Sequence, residues 1–456
     1  MEFRIEHDSM GKVKVPANKK WGAQTQRSFE NFKIGSEKMP GEIICAIALI
    51  KKAAAEANSS FFPEKMTAEK RDAIKDVCEK IMAGELYSEF PLAVWQTGSG
   101  TQTNMNVNEV IANCANEALG QKKVHPNDDV NMSQSSNDVF PSAMHIAAVK
   151  AITQRLLPEL YTLIKTLSRL EKENEGVIKI GRTHLQDAVP ISFSQEISGW
   201  RSSLEKAREL LGSAVTPLLS LALGGTAVGT GLNAPYGFDI AAAELISAYT
   251  LLPFTPAENK FHALTSKNEL VFAHGAVKAL ACDLLKIAND IRFLASGPRC
   301  AYGEIQIPQN EPGSSIMPGK VNPTQCEALT QVCVQVMGND AAISIAASQG
   351  NFELNVYMPL IAYNFIQSVN LLADAIKSFE QNCVCGIVAN RQKMQQNLDN
   401  SLMLVTALNT HIGYENAAKT AQKAYAENIT LKEACLSLGF LSESEFDKIV
   451  DPKKMI

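Results

Sequence analysis

Five long segments of this chain repeat apolar residues at the three-and-four spacing of an α-helix, and that periodicity constrains the fold more than any other feature. In one, Leu160, Leu163, Ile164, Leu167 and Leu170 follow Pro158, a residue suited to the first turn of a helix, and the polar run from Glu171 to Gly176 closes it. Another carries Ile197, Trp200, Leu204, Ala207 and Leu211, and a third Leu270, Val277, Leu280, Leu284, Ile287, Ile291 and Leu294. Leu329, Val332 and Val336 mark the fourth; Leu360, Phe365, Val369, Leu372 and Ile376 mark the fifth. Helices of about 25 residues are roughly 37 Å long. Several are apolar on more than one side, since only Lys278 and Asp283 interrupt the run from Ala276 to Leu285. One layer of neighbours cannot cover such a surface, whereas a bundle buried between subunits can.

Strand signals are sparse. Phe3–Ile5 and Val13–Val15 are expected to pair, and little else alternates. The architecture is therefore read as all-α, with a central bundle of long helices. Polar, Gly/Asn/Pro-rich breaks fall around 96–108, 120–141, 223–235 and 304–323. They suggest an N-terminal domain over 1–135, a central helical bundle over 136–360 and a small C-terminal helical domain over 361–456, the last with shorter helices such as 414–437.

Composition narrows the function classes. The longest uninterrupted hydrophobic run, Ile43 to Ile50, is far short of the ~18 residues needed to cross a bilayer, so no membrane partner is expected. Residues 1–20 alternate charged and apolar positions without the pattern of a secretory leader, which makes the cytoplasm the expected compartment. The balance of 43 Lys+Arg against 48 Asp+Glu, a net charge of −5 and the lack of a basic block argue against a nucleic-acid surface, so no nucleic-acid partner is expected. A small anionic ligand stays possible, because a pocket's field is local. Of the ten cysteines, Cys45, Cys78, Cys282, Cys333 and Cys435 sit in apolar periodic segments and read as core residues. Only Cys383 and Cys385 are close together, with no CxxC and no second Cys/His pair, so neither a zinc nor a redox site is expected.

The unusual feature is where small polar residues concentrate. Four interruptions collect Ser, Thr, Asn and Gly ahead of helical patterns: Gly98 to Asn104, Gln134 to Asp138, Gly181 to Gln186, and Gly313 to Pro323. Glycine permits tight backbone, consecutive N–H groups at a helix start carry positive partial charge, and hydroxyls and amides add hydrogen bonds. A chain with net negative charge can hold a dianion this way. Each segment also has a plain reading: Gly98 to Asn104 as a capping loop, Ser135, Ser136 and Asn137 as simple caps, His184 as a hydrogen-bonded structural histidine. Four together are less easily explained so. Gly224 to Gly231 looks superficially like a nucleotide loop, but it follows no βαβ strand and lacks the Walker lysine, so it reads as a hinge between helices.

Gly313 to Pro323 is the most specific of the four. Two serines follow a glycine, and Lys320 and Asn322 stand two apart between prolines that stiffen the turn. A lysine held there is a fixed cation for a carboxylate or phosphate. The Gly and Ser content fits either a mobile surface loop or a lid that closes on substrate. Glu327 follows at the start of the fourth helical segment, where an acidic group is favoured.

The order and spacing of Gly98-Ser-Gly-Thr-Gln-Thr-Asn-Met-Asn-Val-Asn-Glu109, Gly181-Arg-Thr-His-Leu-Gln-Asp187 and Gly313-Ser-Ser-Ile-Met-Pro-Gly-Lys-Val-Asn-Pro323 resemble the fumarase/aspartase superfamily over nearly the whole chain. Within it, His184 and Gly319 stand where aspartases usually carry Gln and Ala, so the chain is similar to the iron-independent class II fumarases. That resemblance implies a homotetramer whose active sites draw on three subunits. The implied reaction is reversible trans addition of water to fumarate giving (S)-malate in the citric acid cycle, without metal or organic cofactor.

It also implies site residues. Ser314 would be the base on C3 with Ser315 beside it, and Lys320, Val321 and Asn322 would bind the substrate carboxylate. His184, with Glu327 as partner and Thr183 adjacent, would activate water or the leaving hydroxyl. Ser99, Gly100, Thr101, Ser135, Ser136 and Asn137 would hold the two carboxylates. His125, Pro126, Asn127 and Asp128 match a secondary anion segment, preceded by Lys122 and Lys123 where some relatives carry arginine. Two other functions compete: an aspartase-type ammonia elimination, and a catalytically silent structural homologue, against which the retained Ser314, Lys320, Asn322 and His184 argue.

Overall fold

The N-terminal strand signals pair as expected. In the computed structural model, which describes residues 2–456, Phe3–Asp8 and Gly11–Pro16 form an antiparallel hairpin with Ile5 opposite Lys14 and Glu6 opposite Val13. All five long apolar segments are helices: Leu157–Glu173, Phe193–Leu218, Asn268–Leu294, Thr324–Ala347 and Met358–Asn382. The residues that set each period are buried, apart from half-buried Val332 and Leu360. Each fully buried Leu, Ile or Phe contributes roughly 1.5–3 kcal/mol. Apolar side chains also remain uncovered on the same helices, among them Leu210, Phe272, Val334 (60% exposed) and Ile345 (66%). No helix among the described residues is long and apolar enough to cross a membrane.

The chain divides into two compact units. The first comprises Met1–Pro158, Arg208–Ala281 and Cys333–Ala373. Its core is built on the helix Gly41–Phe61, which contains the Ile43 to Ile50 run and packs against Ala68–Met82, Ser136–Lys150 and Phe238–Thr250. The second comprises Glu159–Ala207, Cys282–Val332 and Asp374–Ile456. Its C-terminal helices close around Leu398, Leu404, Leu408, Ala434 and Phe446.

Two features depart from the sequence reading. A second antiparallel hairpin, Ile178–Thr183 with Gln186–Ser192, carries the Gly181 to Gln186 segment and packs against the helix Arg391–Asp399. Its alternation is broken by a register shift between Ile180 and Arg182, where a side chain on Gly181 would come 2.7 Å from the Val189 carbonyl oxygen. Among the cysteines, Cys78, Cys333 and Cys435 are buried, Cys45 is half-buried and Cys282 is exposed. Cys282 shares the outward side of its helix with exposed Lys286, one turn on.

Candidate active site

Within the first unit, two helix starts open on one cleft of about 850 Å³. Thr101 is the first residue of the helix Thr101–Leu119 and Ser136 the first of Ser136–Lys150, and both line the cleft. Gly100 precedes Thr101 at φ +72°, and any side chain there would lie 2.2 Å from the Phe140 ring, so the backbone turns into the helix only as glycine. The hydroxyls of Ser99 and Thr101 stand 2.8 Å apart. Gly100 has no side chain to cap the Thr101 helix, and the Gln96 side-chain oxygen accepts the Thr103 N–H at 3.0 Å, so the first-turn N–H groups that face a ligand are those of Thr101 and Gln102.

The second helix start is both cap and site wall. The Ser135 hydroxyl accepts from the Asn137 N–H, and the Asp138 carboxylate accepts from the Ser135 N–H, completing a capping box. Asp138 is fully buried, and burial pushes its carboxyl above the usual carboxylate range. Its other oxygen accepts the N–H groups of Gly224 and Thr226, and the Asn137 side-chain amide donates to the Ala227 carbonyl at 2.8 Å. The segment read as a hinge is thus also a wall of the cleft, where Thr226 Oγ1 is buried without a hydrogen-bond partner among the described residues.

Beneath the cleft lies a network that sequence reasoning missed. Lys51, fully buried, donates from Nζ to Asn131 Oδ1 at 2.8 Å and to Gln134 Oε1 at 3.0 Å, and both acceptors line the cleft. The Asn104 amide bridges Asn131 Oδ1 and Ser136 Oγ at 3.2 and 3.0 Å. Burial pushes the Lys51 ammonium down to about 7, against the opposing pull of Asp138. The available signal was a lysine directly after an eight-residue apolar run, in a helix otherwise committed to the core.

The segment that the resemblance implies as a secondary anion site divides. Asn127 and Asp128 line the large cleft, whereas Lys122, His125 and Pro126 line a neighbouring cavity of about 330 Å³. His125 Nδ1 accepts from the Asn127 and Asp128 amides and lies 3.2 Å from an Asp128 carboxylate oxygen.

The second unit carries the other two segments. Thr183 and His184 stand at the end of the second hairpin, where His184 and Leu185 form a two-residue turn and are exposed in the single chain. Gly313 to Pro323 is a closed loop: Gly313 N donates to the Lys320 carbonyl at 2.8 Å, and the Asn322 side chain donates to the Gly313 carbonyl at 2.6 Å. Within it, Ser314 Oγ accepts the backbone N–H groups of Ile316 and Met317 at 3.3 and 3.1 Å. Lys320, Val321 and Asn322 line a cavity of about 620 Å³, and both Lys320 and Ser315 are exposed. Glu327 is exposed in the first turn of Thr324–Ala347. Among the described residues no hydrogen bond joins Glu327 to His184 within one chain.

Residues 11–338 match the protein family described as lyase, and residues 404–456 match the fumarase C C-terminus. A protein from Helicobacter pylori named fumarate hydratase class II is 59% identical over 100% of this chain and 99% of its own length. One from Bacillus cereus with the same name is 60% identical over the same shares. The chain belongs to the class II fumarases. The fold agrees: the class II fumarase crystal structure from Schistosoma mansoni superimposes with a TM-score of 0.97 at 44% identity, over 100% of this chain and 99% of that one. In this class II fumarase chain the resemblance-derived residues therefore fall into two sets. Thr101, Ser135 and Ser136 share the first unit's cleft, while Lys320, Val321 and Asn322 share the second unit's cavity.

Proposed function

We propose that the chain is a hydro-lyase acting in the cytoplasm, which adds water reversibly to fumarate to give (S)-malate. The reading rests on full-length identity of 59–60% to proteins named fumarate hydratase class II. The geometry of Ser314 supports a specific chemistry for it. A serine is a poor base unless its alkoxide is stabilised, and two backbone N–H groups on Ser314 Oγ supply such stabilisation.

In the malate-to-fumarate direction the Ser314 alkoxide takes the C3 proton, and the electron pair passes into the adjacent carboxylate as an aci-carboxylate. Lys320 offsets the added negative charge. The stored pair then returns to form the C2=C3 double bond as the C2–O bond breaks, the C–O electron pair leaves with the hydroxyl, and a proton from His184 completes water. Ser314 returns its proton, and His184 regains one, through solvent. Ser99, Gly100, Thr101, Ser135, Ser136 and Asn137 hold the carboxylates through hydroxyls, amides and the two helix starts. Asn322 and Val321 bind the carboxylate beside Lys320, Ser315 flanks the base, and Thr183 flanks His184. His125 to Asp128, with Lys122, form an accessory anion segment.

The two sets of residues meet, on this reading, between subunits of a homotetramer, and Glu327 orients His184 there. Uncovered Leu210, Phe272, Val334 and Ile345 on the long helices are the surface such an assembly would bury. Following fumarate absorbance on adding malate, with ammonia release from aspartate as control, tests the function. Fumarate from malate is expected. Ammonia from aspartate would move the chain to the ammonia lyases, and inertness toward both would leave a silent homologue.

A further inference from the structure

His184 and Leu185 both hold left-handed backbone, with φ of +57° and +60°. Because Thr183 pairs with Gln186 across them, they are the two central residues of a tight hairpin turn with positive φ at both, a geometry that selects Asn-Gly or Gly-Gly. Leucine is unsuited to it, having neither glycine's freedom nor a polar side chain to bond locally. Such a conformation persists only where its surroundings over-determine it.

The surroundings that could do so lie at the foot of the turn. Arg182, one residue before Thr183, makes a forked contact with Glu304: Nη2 to Oε1 at 2.6 Å and Nη1 to Oε2 at 3.0 Å. Its guanidinium carbon also stands 4.4 Å from the centre of the Tyr302 ring. Glu304 is fully buried and fixed on every side. Its carboxylate accepts from Asn397 Nδ2 at 2.8 Å and lies 3.3 Å from the Lys179 ammonium, its N–H donates to the Leu294 carbonyl, and its carbonyl accepts from Asn390 N–H, both at 2.8 Å. Lys179, itself buried, is shared with Glu196 at 3.1 Å. A buried ion pair adds little net stability over apolar packing, but a guanidinium fork on a fixed carboxylate fixes direction.

We infer that Arg182 and Glu304 are positioning residues, a pair that holds the His184–Leu185 turn in its left-handed conformation and so sets where the His184 imidazole stands. The functional half of this rests on the proposed role of His184. Lysine in place of Arg182 keeps the charge and loses the fork, whereas glycine in place of Leu185 lets the turn form unaided.

The test uses the assembled full-length protein, reading kcat, KM for malate and thermal melting for Arg182→Lys, Glu304→Asp, His184→Asn, Leu185→Gly and the double variant Arg182→Lys/Leu185→Gly. Arg182→Lys is expected to lower kcat by roughly 10- to 100-fold, as a displacement of about 1 Å does, with KM changed little. Leu185→Gly alone should stay near wild type, and in the double variant it should recover most of the lost kcat. It should also raise the melting temperature of Arg182→Lys more than that of wild type. A near-normal kcat in Arg182→Lys beside a crippled His184→Asn overturns the inference, as does a loss that Leu185→Gly does not repair. A normal His184→Asn instead overturns the role of His184 and the functional half with it, and the melting comparison still decides whether the pair holds the turn. Should Arg182→Lys not assemble, Glu304→Asp carries the same comparison, and if neither assembles the pair serves folding and the positioning assignment is wrong.

Discussion

Asp138 belongs to the first turn of one helix, yet its Oδ2 accepts the N–H of Thr226 from a separate segment at 2.9 Å, and that of Gly224 at the same distance. One buried carboxylate thereby joins two walls of the cleft in which Thr101, Ser135 and Ser136 stand. Asparagine has a single side-chain oxygen, so Asp138→Asn must leave either the Ser135 N–H or the Gly224 and Thr226 N–H groups facing an amide. Each buried donor left unpaired costs about 1–3 kcal/mol. The variant should lose roughly 2–4 kcal/mol of stability on that basis, with KM for malate raised several-fold. Thermal melting and steady-state kinetics check both, and an unchanged melting temperature would mean the tie is not structural.

Ser314→Ala removes the oxygen that accepts the Ile316 and Met317 N–H groups, in a loop whose closure depends on Gly313, Lys320 and Asn322 instead. Folding and assembly should therefore be unchanged while kcat falls by roughly 10²–10⁴, the range for loss of a positioned base. Turnover near the wild-type value would exclude Ser314 from proton transfer.

How much of this could be read from the sequence depends on range. The long helices were legible because Leu160 to Leu170 or Leu270 to Leu294 repeat a local period that burial enforces. The pairing of Phe3–Asp8 with Gly11–Pro16 was legible for the same reason, its partners being a few residues apart. The hairpin carrying His184 was not, although Ile178 and Ile180 alternate, because the shift at Gly181 breaks the period where the candidate site residues begin. The links between Arg182 and Glu304, Asp138 and Thr226, and Lys51 and Asn131 span 80 or more positions and leave no periodic trace. For the candidate site, residue types were visible in the polar breaks. What fixes their geometry was written in distant, individually ordinary residues.

Lys320 is exposed in its cavity and its backbone is tied to Gly313 and Met317, so the ammonium is presented by a fixed loop. Lys320→Met keeps most of the length of the side chain, one atom short, and removes the charge. If the ammonium binds the carboxylate and offsets the charge of the aci-carboxylate, both KM and kcat should suffer, KM rising about tenfold or more as a charge-assisted contact worth roughly 1.5–3 kcal/mol is lost. Unchanged binding of malate, measured by calorimetry with the slow variant, would place the lysine outside the carboxylate site.

His145, buried in the helix Ser136–Lys150 with Nδ1 2.8 Å from the Ser220 carbonyl, bears on acid stability. Burial pushes its imidazolium down to about 4 from an ordinary 6.5, with Glu269 pulling it up and Lys267 pushing it further down. Between those two values the unfolded chain takes up a proton that the folded chain refuses. Stability from this group is therefore complete above pH 6.5 and is lost as pH falls toward 4, by roughly 3 kcal/mol in all. His145→Gln offers a donor for the Ser220 carbonyl but does not titrate, so its stability should fall less steeply over the same interval. Urea unfolding at fixed protein concentration between pH 7 and 4.5 checks this. The difference in stability between wild type and variant should shrink, or turn in favour of the variant, on acidification, and a difference that grows in favour of wild type would show that His145 is protonated in the fold.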